Sequence, residues 1–167
     1  MEGLKILQVV GYKDSGKTTL MLELVRLADA NGKRVATIKH HGHSGALEMP
    51  AEGTDSMRFF RHGAASSIVY GDGIIQQHTR KKEPAVEELI AMANQPGIDL
   101  VLVEGFKTAP YEKIAMIRSE DDWEKLKDLA NIRLAIVPEG VHIDELQTIE
   151  RGNRDLIATW FSNWMEG

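Results

Sequence analysis

A glycine-rich segment near the amino terminus, VVGYKDSGKTTL, has the residue types that hold phosphate groups. Gly11, Gly16, Lys17 and Thr18 fit the pattern G-x-x-x-x-G-K-[ST]. Glycines lack a Cβ atom, so such a loop can wrap around an anion with its N–H groups directed at the oxygens. The lysine then reaches the β- and γ-phosphates, and the hydroxyl binds Mg²⁺. The predicted phosphate-binding residues are Gly11, Tyr12, Lys13, Asp14, Ser15, Gly16, Lys17, Thr18 and Thr19, with Thr18 also at the metal.

Glu104 is the acid best placed to serve the magnesium ion of such a P-loop, which needs a carboxylate at the end of a neighbouring strand. It follows the apolar run LVLV of residues 100–103, which is typical of a central parallel strand covered on both faces. Ligands of open α/β sheets bind at the carboxyl ends of the strands. Glu104 is therefore a candidate metal ligand and catalytic residue, whereas Asp99 begins the strand at the opposite edge. The alternative for Glu104 is a surface acid that only caps the strand.

Asp55 is a second acid with a candidate catalytic role. It ends a long, glycine-containing loop of residues 41–54 and opens a predicted helix. As the helix N-cap it would accept a backbone hydrogen bond. On a switch segment it would instead hold magnesium or a water molecule, and the two roles are compatible.

The histidines of KHHGH, His40, His41 and His43, follow the second predicted strand. Their spacing does not match a known zinc pattern. The sequence favours a polar loop that contacts phosphate or a partner over a structural metal site. Trp160 and Trp164 lie four residues apart on a predicted helix, where packing against the body of the protein or a partner chain is the expected role.

Alternating strands and helices are predicted to position these residues. The strands are expected at residues 4–10, 34–40, 66–71, 73–79, 98–105, 113–118 and 132–140. The helices are expected from the loop to Asn31, at 55–65 with Asp55 as N-cap, from Pro84 to Gly97, and at 120–129, 143–149 and 155–165. This order predicts a P-loop NTPase-like α/β fold in three layers, with a mostly parallel sheet and helices on both faces, as a single domain over 1–167.

The composition suits one ordinary globular domain of 167 residues, with 43% hydrophobic and 27% charged residues. Lys and Arg number 20 and Asp and Glu 25, and the net charge of −5 argues against a nucleic-acid binder. Cysteine is absent, which excludes disulfides and thiolate metal sites. No apolar run reaches the roughly 18 residues of a membrane helix. We expect a cytoplasmic protein that does not bind membranes.

Four segments in order, GYKDSGKTTL, IKHHGH, TDSMRFFRHGAA and VEGFK, resemble the hallmark segments of the MobB family of molybdopterin-guanine dinucleotide biosynthesis adaptor proteins. The resemblance covers residues 4 to about 137. It implies a GTP-binding, Mg²⁺-dependent homodimer with weak GTPase activity. It also implies partnership with MobA, the guanylyltransferase that joins GMP to molybdopterin.

The resemblance also implies roles for individual residues. Residues 11–19 would bind the phosphates, with Thr18 and Glu104 at the magnesium ion. Asp55 and Arg58 would lie in a switch-like segment, and Lys107 at the same edge of the sheet as the phosphate loop.

Two departures from the family pattern bear on these roles. Glu48 and Met49 stand where the family typically has an aspartate before a Pro-Gly stretch. The chain also lacks the N-K-x-D motif, so the guanine preference rests on the resemblance, with the backbone around Pro138 and Glu139 as a candidate base contact. Lys13 is not at the position where a related P-loop class keeps a trans-acting lysine.

Two other functions share these features. One is a metabolite kinase or a dethiobiotin-synthetase-like ligase, which would turn over nucleotide only when a specific acceptor is added. The other is a GTP-dependent regulatory switch with no biosynthetic role, which co-purification with a nucleotidyltransferase would separate from an adaptor.

Overall fold

A six-stranded parallel sheet dominates the larger of two units in the chain. The computed structural model describes residues 4–42, 47–51 and 53–167. The first unit comprises the chain up to His40 together with Val86–Gly167, and the second runs from His41 to Ala85. The single domain predicted from the sequence stays a prediction.

The secondary structure alternates along the chain as expected. The strands are β1 (Lys5–Gly11), β2 (Val35–Lys39), β3 (Ser66–Gly71), β4 (Ile74–Thr79), β5 (Leu100–Glu104), β6 (Glu112–Met116), β7 (Ile132–Val137) and β8 (Thr148–Glu150). The helices are α1 (Lys17–Ala30), α2 (Asp55–Arg61), α3 (Val86–Ala93), α4 (Glu120–Leu126) and α5 (Arg154–Glu166).

The strand order of the first unit brings three strand ends together at one edge. The order is β2-β5-β1-β6-β7-β8, and all neighbours run parallel. In this register Glu104, the last residue of β5, lies beside Lys39 of β2 on one side and Val9 of β1 on the other. β5 is confirmed as an internal strand with a parallel neighbour on each side, but it lies second in the order, next to the edge strand β2. The glycine-rich loop after β1 and Glu104 therefore belong to the same edge of the sheet.

Helices cover both faces of this sheet, as predicted. Leu102 packs with the buried face of α1 and α5, whereas Val101 and Val103 pack with α3. On the same face as α3, the strands β6 and β7 pack against α4. Alternate side chains of β5 thus enter opposite layers and all are buried, which is why the run LVLV is apolar at every position.

The helix predicted over residues 143–149 is wrong. β8 lies at the end of this segment and pairs parallel with β7 through Ile136 and Ile149. Ile143 packs in the cluster that contains α4, and Ile149 packs in the cluster of α1 and α5 on the other face. A single helix face cannot pack in both layers, so the segment passes from one layer to the other through a turn at residues 144–146 before β8 begins.

Two predicted helix starts are also wrong by one or two residues. Thr54, and not Asp55, is the N-cap of α2, because the Thr54 carbonyl accepts the first helical bond from the Arg58 N–H at 3.0 Å. Asp55 lies in the first turn, where an acid complements the helix dipole. α3 begins at Val86, where the first buried side chain of the helix lies, and not at Pro84.

The second unit contains α2 and the hairpin of β3 and β4. The hairpin turns at Asp72 and Gly73, whose φ angles of 47° and 75° are both positive, as in the type I′ turn that matches strand twist. Ser67 Oγ donates to the Ser56 carbonyl at 3.0 Å and joins β3 to α2.

Candidate functional site

The loop between β1 and α1 has a conformation that its glycines make possible. Gly16 precedes α1 with φ 90°, and Asp14 is left-handed with φ 59°. A Cβ atom on Gly11 would lie 2.6 Å from Ser15 Oγ and 2.9 Å from the Met116 carbonyl oxygen. Position 11 therefore admits only glycine while Ser15, which is fully buried, keeps its place. The loop therefore packs tightly against Met116 at the end of β6.

Lys17, the motif lysine, folds back over the loop. Its Nζ donates to the Tyr12 carbonyl at 2.6 Å. Burial lowers the pKa of the Lys17 ammonium. The neighbouring Lys107 and Lys39 lower that pKa further, and Glu104 raises it. Three cations thus converge on the loop, and an anionic ligand would relieve their repulsion.

Thr18 and Glu104, the two predicted metal ligands, are in contact. Thr18 Oγ1 donates to Glu104 Oε2 at 3.2 Å, and Glu104 is only 7% exposed. A hydroxyl and a carboxylate are the hard oxygen donors that Mg²⁺ prefers, and its usual sites add waters and substrate phosphates to one or two protein ligands. The described residues contain no group of three or more His, Asp or Glu side chains that could form an all-protein metal cage. This pair therefore fits a magnesium ion shared with phosphate and water.

Lys39 is a site residue that sequence reasoning missed. Its Nζ donates to Glu104 Oε1 at 2.9 Å and to Thr18 Oγ1 at 3.2 Å. The sequence does place Lys39 at the end of the second predicted strand. It does not show which strand lies next to that one in the sheet. Only the pairing of β2 with β5 brings Lys39 to Glu104.

The histidine-rich segment is only partly described. The His40 N–H donates to the Glu104 carbonyl at 2.9 Å, and its ring packs on Phe106 with centroids 4.7 Å apart. His40 thus extends the pairing of β2 with β5 beyond the strands. His43 lies outside the described residues, and the expectation of a polar loop in place of a metal site stays a prediction.

Asp55 and Arg58 belong to the second unit, where they form an exposed ion pair of 3.5 Å. The roles of Asp55 in catalysis and of Arg58 in a switch stay predictions. Glu48 and Met49 lie in the same unit.

The tryptophans of α5 pack within the first unit, as expected. The Trp164 ring stacks on Phe161 at 5.8 Å, and its Nε1 donates to Glu112 Oε2 at 2.7 Å. Trp160 packs against the same core cluster.

An ion pair with a buried acid and an exposed base anchors the glycine-rich loop to α4. Asp122 is 2% exposed and accepts from Arg118 Nε at 2.7 Å and from a second guanidinium nitrogen at 2.9 Å. The remaining nitrogen of Arg118 donates to the Lys13 carbonyl at 2.9 Å. Lys107 Nζ lies 3.8 Å from the centre of the Tyr12 ring. The outer side of the loop is therefore held by a guanidinium that Asp122 fixes in place.

The sheet, the loop between β1 and α1, and the acid at the end of β5 define a P-loop NTPase-like α/β protein. A family model described as "MobB: Molybdopterin guanine dinucleotide synthesis protein B" matches residues 6–139. The chain belongs to the MobB family.

Named relatives and solved structures agree with this assignment. The chain is 35% identical to the "Probable molybdopterin-guanine dinucleotide biosynthesis adapter protein" of Bacillus subtilis, over 85% of this chain and 81% of the relative. It is 33% identical to the corresponding adapter protein of Haemophilus influenzae, over 97% and 90% of the two chains. A crystal structure of a MobB protein homolog from Bacillus stearothermophilus is 35% identical, with a TM-score of 0.79 over 96% of this chain and 97% of that one. The described helices are all too short or too polar to span a bilayer.

The Asp122 and Arg118 pair predicts a pH-dependent contribution to stability. The hydrogen bonds from Arg118 hold the pKa of Asp122 below its ordinary value of 3.8. The stabilisation is therefore fully present above about pH 4 and is lost as the pH falls through the folded-state pKa. Asp122→Asn should lower the free energy of unfolding by about 1–2 kcal/mol at neutral pH and remove this part of the acid dependence. Urea unfolding between about pH 7 and pH 2.5 measures both effects.

Asp121→Asn is the matched control, because Asp121 is exposed and pairs with Lys125 on the surface of the same helix. It should change stability little at any pH. Parallel pH profiles for the parent and Asp122→Asn would contradict the prediction.

Proposed function

We propose that this chain is a GTP- and Mg²⁺-binding adaptor of molybdopterin-guanine dinucleotide biosynthesis, which assists a MobA-type guanylyltransferase and hydrolyses GTP slowly at most. The observation that carries the proposal is the assembly of Lys17, Thr18 and Glu104 at the carboxyl edge of the sheet. The names of the relatives as biosynthesis adapter proteins support the role.

Each residue of the loop has a physical task in this proposal. Residues 11–19 hold the phosphates, and Lys17 exchanges the Tyr12 carbonyl for β- and γ-phosphate oxygens. Thr18 and Glu104 hold Mg²⁺, directly or through water. The ion, when bound, neutralises charge that develops on the phosphate oxygens. In this proposal Glu104 would also orient a water molecule.

The preference for guanine rests on the family. The end of β7, at Pro138 and Glu139, lies two strands from β1 at the same edge. The loops after β7 and β8 are joined there, because the Gly140 N–H donates to Glu150 Oε1 at 3.2 Å. This joined pair of loops is our candidate for the base contact.

The nucleotide site is tested through Lys17. Lys17→Ala removes charge-assisted contacts worth roughly 1.5–3 kcal/mol each, so the affinity for GTP should fall at least about tenfold with the fold unchanged. Titration of a fluorescent GTP analogue, followed by competition with GTP and ATP at physiological magnesium, measures affinity and base preference. Circular dichroism checks the fold.

Lys33→Ala is the control, because Lys33 follows α1 in the turn that leads into the amino end of β2, at the opposite edge of the sheet. Equal GTP affinity for Lys17→Ala and the parent would refute the phosphate site. Stronger competition by ATP than by GTP would favour a kinase-like activity over the adaptor.

The hairpin of the second unit supports a homodimer. Tyr70 and Ile75 face each other across the strands and are 72% and 67% exposed, with Ile68 on the same side and Ile74 on the other. A two-stranded ribbon with apolar side chains exposed on both faces is marginally stable alone and exposes an apolar patch of the kind that marks an interface. A second copy of the chain, with the same apolar ribbon, would cover it.

Ile75→Glu should convert the dimer to a monomer at micromolar concentration, because it places a charge in the middle of the covered ribbon. Sedimentation equilibrium measures the mass. Leu22→Glu is the matched control, since Leu22 is an exposed leucine on α1 at 62% exposure. A monomeric parent, or a dimeric Ile75→Glu variant, would rule out the hairpin interface.

The adaptor role is tested with the partner itself. Immobilised parent protein should retain more of a MobA-type guanylyltransferase in the presence of Mg²⁺ and a non-hydrolysable GTP analogue than without nucleotide. Lys17→Ala should need at least about tenfold more of the analogue for the same increase, because its affinity for the nucleotide is lower. If the guanylyltransferase is not retained either with or without nucleotide, the switch or kinase alternatives are favoured.

A further inference from the structure

The two proposed metal ligands already share a cation, the Lys39 ammonium. Lys39 Nζ lies 2.9 Å from Glu104 Oε1 and 3.2 Å from Thr18 Oγ1, and Thr18 Oγ1 lies 3.2 Å from Glu104 Oε2. The three side chains form a closed triangle. Lys39 therefore contacts both groups that the proposed function assigns to magnesium.

Burial explains why a cation is needed at this place. The Glu104 side chain is 9% exposed, and a carboxylate with so little contact with water requires a positive partner. The Lys39 side chain is 55% exposed, so it reaches Glu104 from the solvent side on a flexible four-carbon stem. The ion pair is thus buried at its acid end and exposed to solvent at its basic end.

Backbone pairing fixes only the start of that stem. Lys39 is the last residue of β2 and lies beside Glu104 in the parallel register. The His40 N–H continues the pairing to the Glu104 carbonyl. The Lys39 backbone is therefore held while its ammonium can leave, which suits an exchange of one cation for another.

We propose that Lys39 is an internal competitor of the magnesium ion: its ammonium neutralises Glu104 in the nucleotide-free protein and must be displaced when Mg²⁺ binds. This inference rests on the proposed function of Thr18 and Glu104. Lys39 Nζ occupies Glu104 Oε1 and Thr18 Oγ1, the oxygens that would hold the ion directly or through one of its waters. The apparent magnesium affinity is then the intrinsic affinity multiplied by the fraction of protein in which the ammonium is away from these oxygens. Magnesium entry thereby releases an ammonium at the edge that holds the phosphates.

Lys39→Met tests this competition. The variant should need about five- to tenfold less Mg²⁺ for half of the magnesium-dependent gain in affinity for a non-hydrolysable fluorescent GTP analogue. Without nucleotide and magnesium it should melt at a lower temperature than the parent, because Glu104 loses its partner. Saturating Mg²⁺ and nucleotide should bring the two melting temperatures closer together.

Lys107→Met is the matched control for long-range charge. Lys107 Nζ lies over the Tyr12 ring and is close enough to Lys17 to lower the pKa of its ammonium. Its loss should shift the magnesium midpoint less than the loss of Lys39. Equal shifts of the magnesium midpoint for the two variants would mean that the loss of any nearby positive charge has this effect, and would overturn direct competition. An unchanged midpoint for Lys39→Met would also overturn it.

Glu104→Gln separates this inference from the proposed function. If Glu104→Gln keeps the full increase in nucleotide affinity that Mg²⁺ gives the parent, the assignment of Glu104 to the metal is wrong and the inference fails with it. If Glu104→Gln loses the gain but Lys39→Met behaves as the parent, the magnesium site stands and only the competition fails. The loss of stability from Lys39→Met should also vanish in the Glu104→Gln background, since the two residues act as a pair.

Discussion

A carboxylate buried at the end of the internal strand β5 is the constraint around which the candidate site of this protein is arranged. Glu104 follows four buried side chains and has little access to water. A charge in such a place requires compensation, which Thr18 and Lys39 supply from neighbouring elements. The order of the parallel strands brings those elements to the same edge of the sheet. The compensation of the Glu104 charge therefore depends on the sheet topology.

The local parts of this arrangement could be predicted from the sequence, because each has a local signature. The loop pattern, the LVLV run and the acid after it identified residues 11–19, β5 and Glu104. Residues joined only by tertiary structure were missed. Lys39 depends on β2 lying next to β5, and the Arg118 bond to the Lys13 carbonyl spans distant parts of the chain. The segment 143–149 was mistaken for a helix because its isoleucines serve opposite faces of the sheet.

The two units of the chain divide the proposed tasks. The first contains the sheet, the phosphate loop and both proposed magnesium ligands, whereas the second contains the apolar hairpin. An adaptor needs surfaces for other proteins besides a nucleotide site. The exposed apolar side chains of the hairpin are the candidate for such a surface in the second unit.

The close approach of position 11 to Ser15 has a consequence for the evolution of this loop. A side chain at position 11 would collide with Ser15 Oγ and with the backbone of β6. Removal of the Ser15 hydroxyl relieves the first collision but leaves the second. A change at Ser15 therefore cannot release position 11, because the Met116 carbonyl oxygen of β6 would still exclude a side chain there.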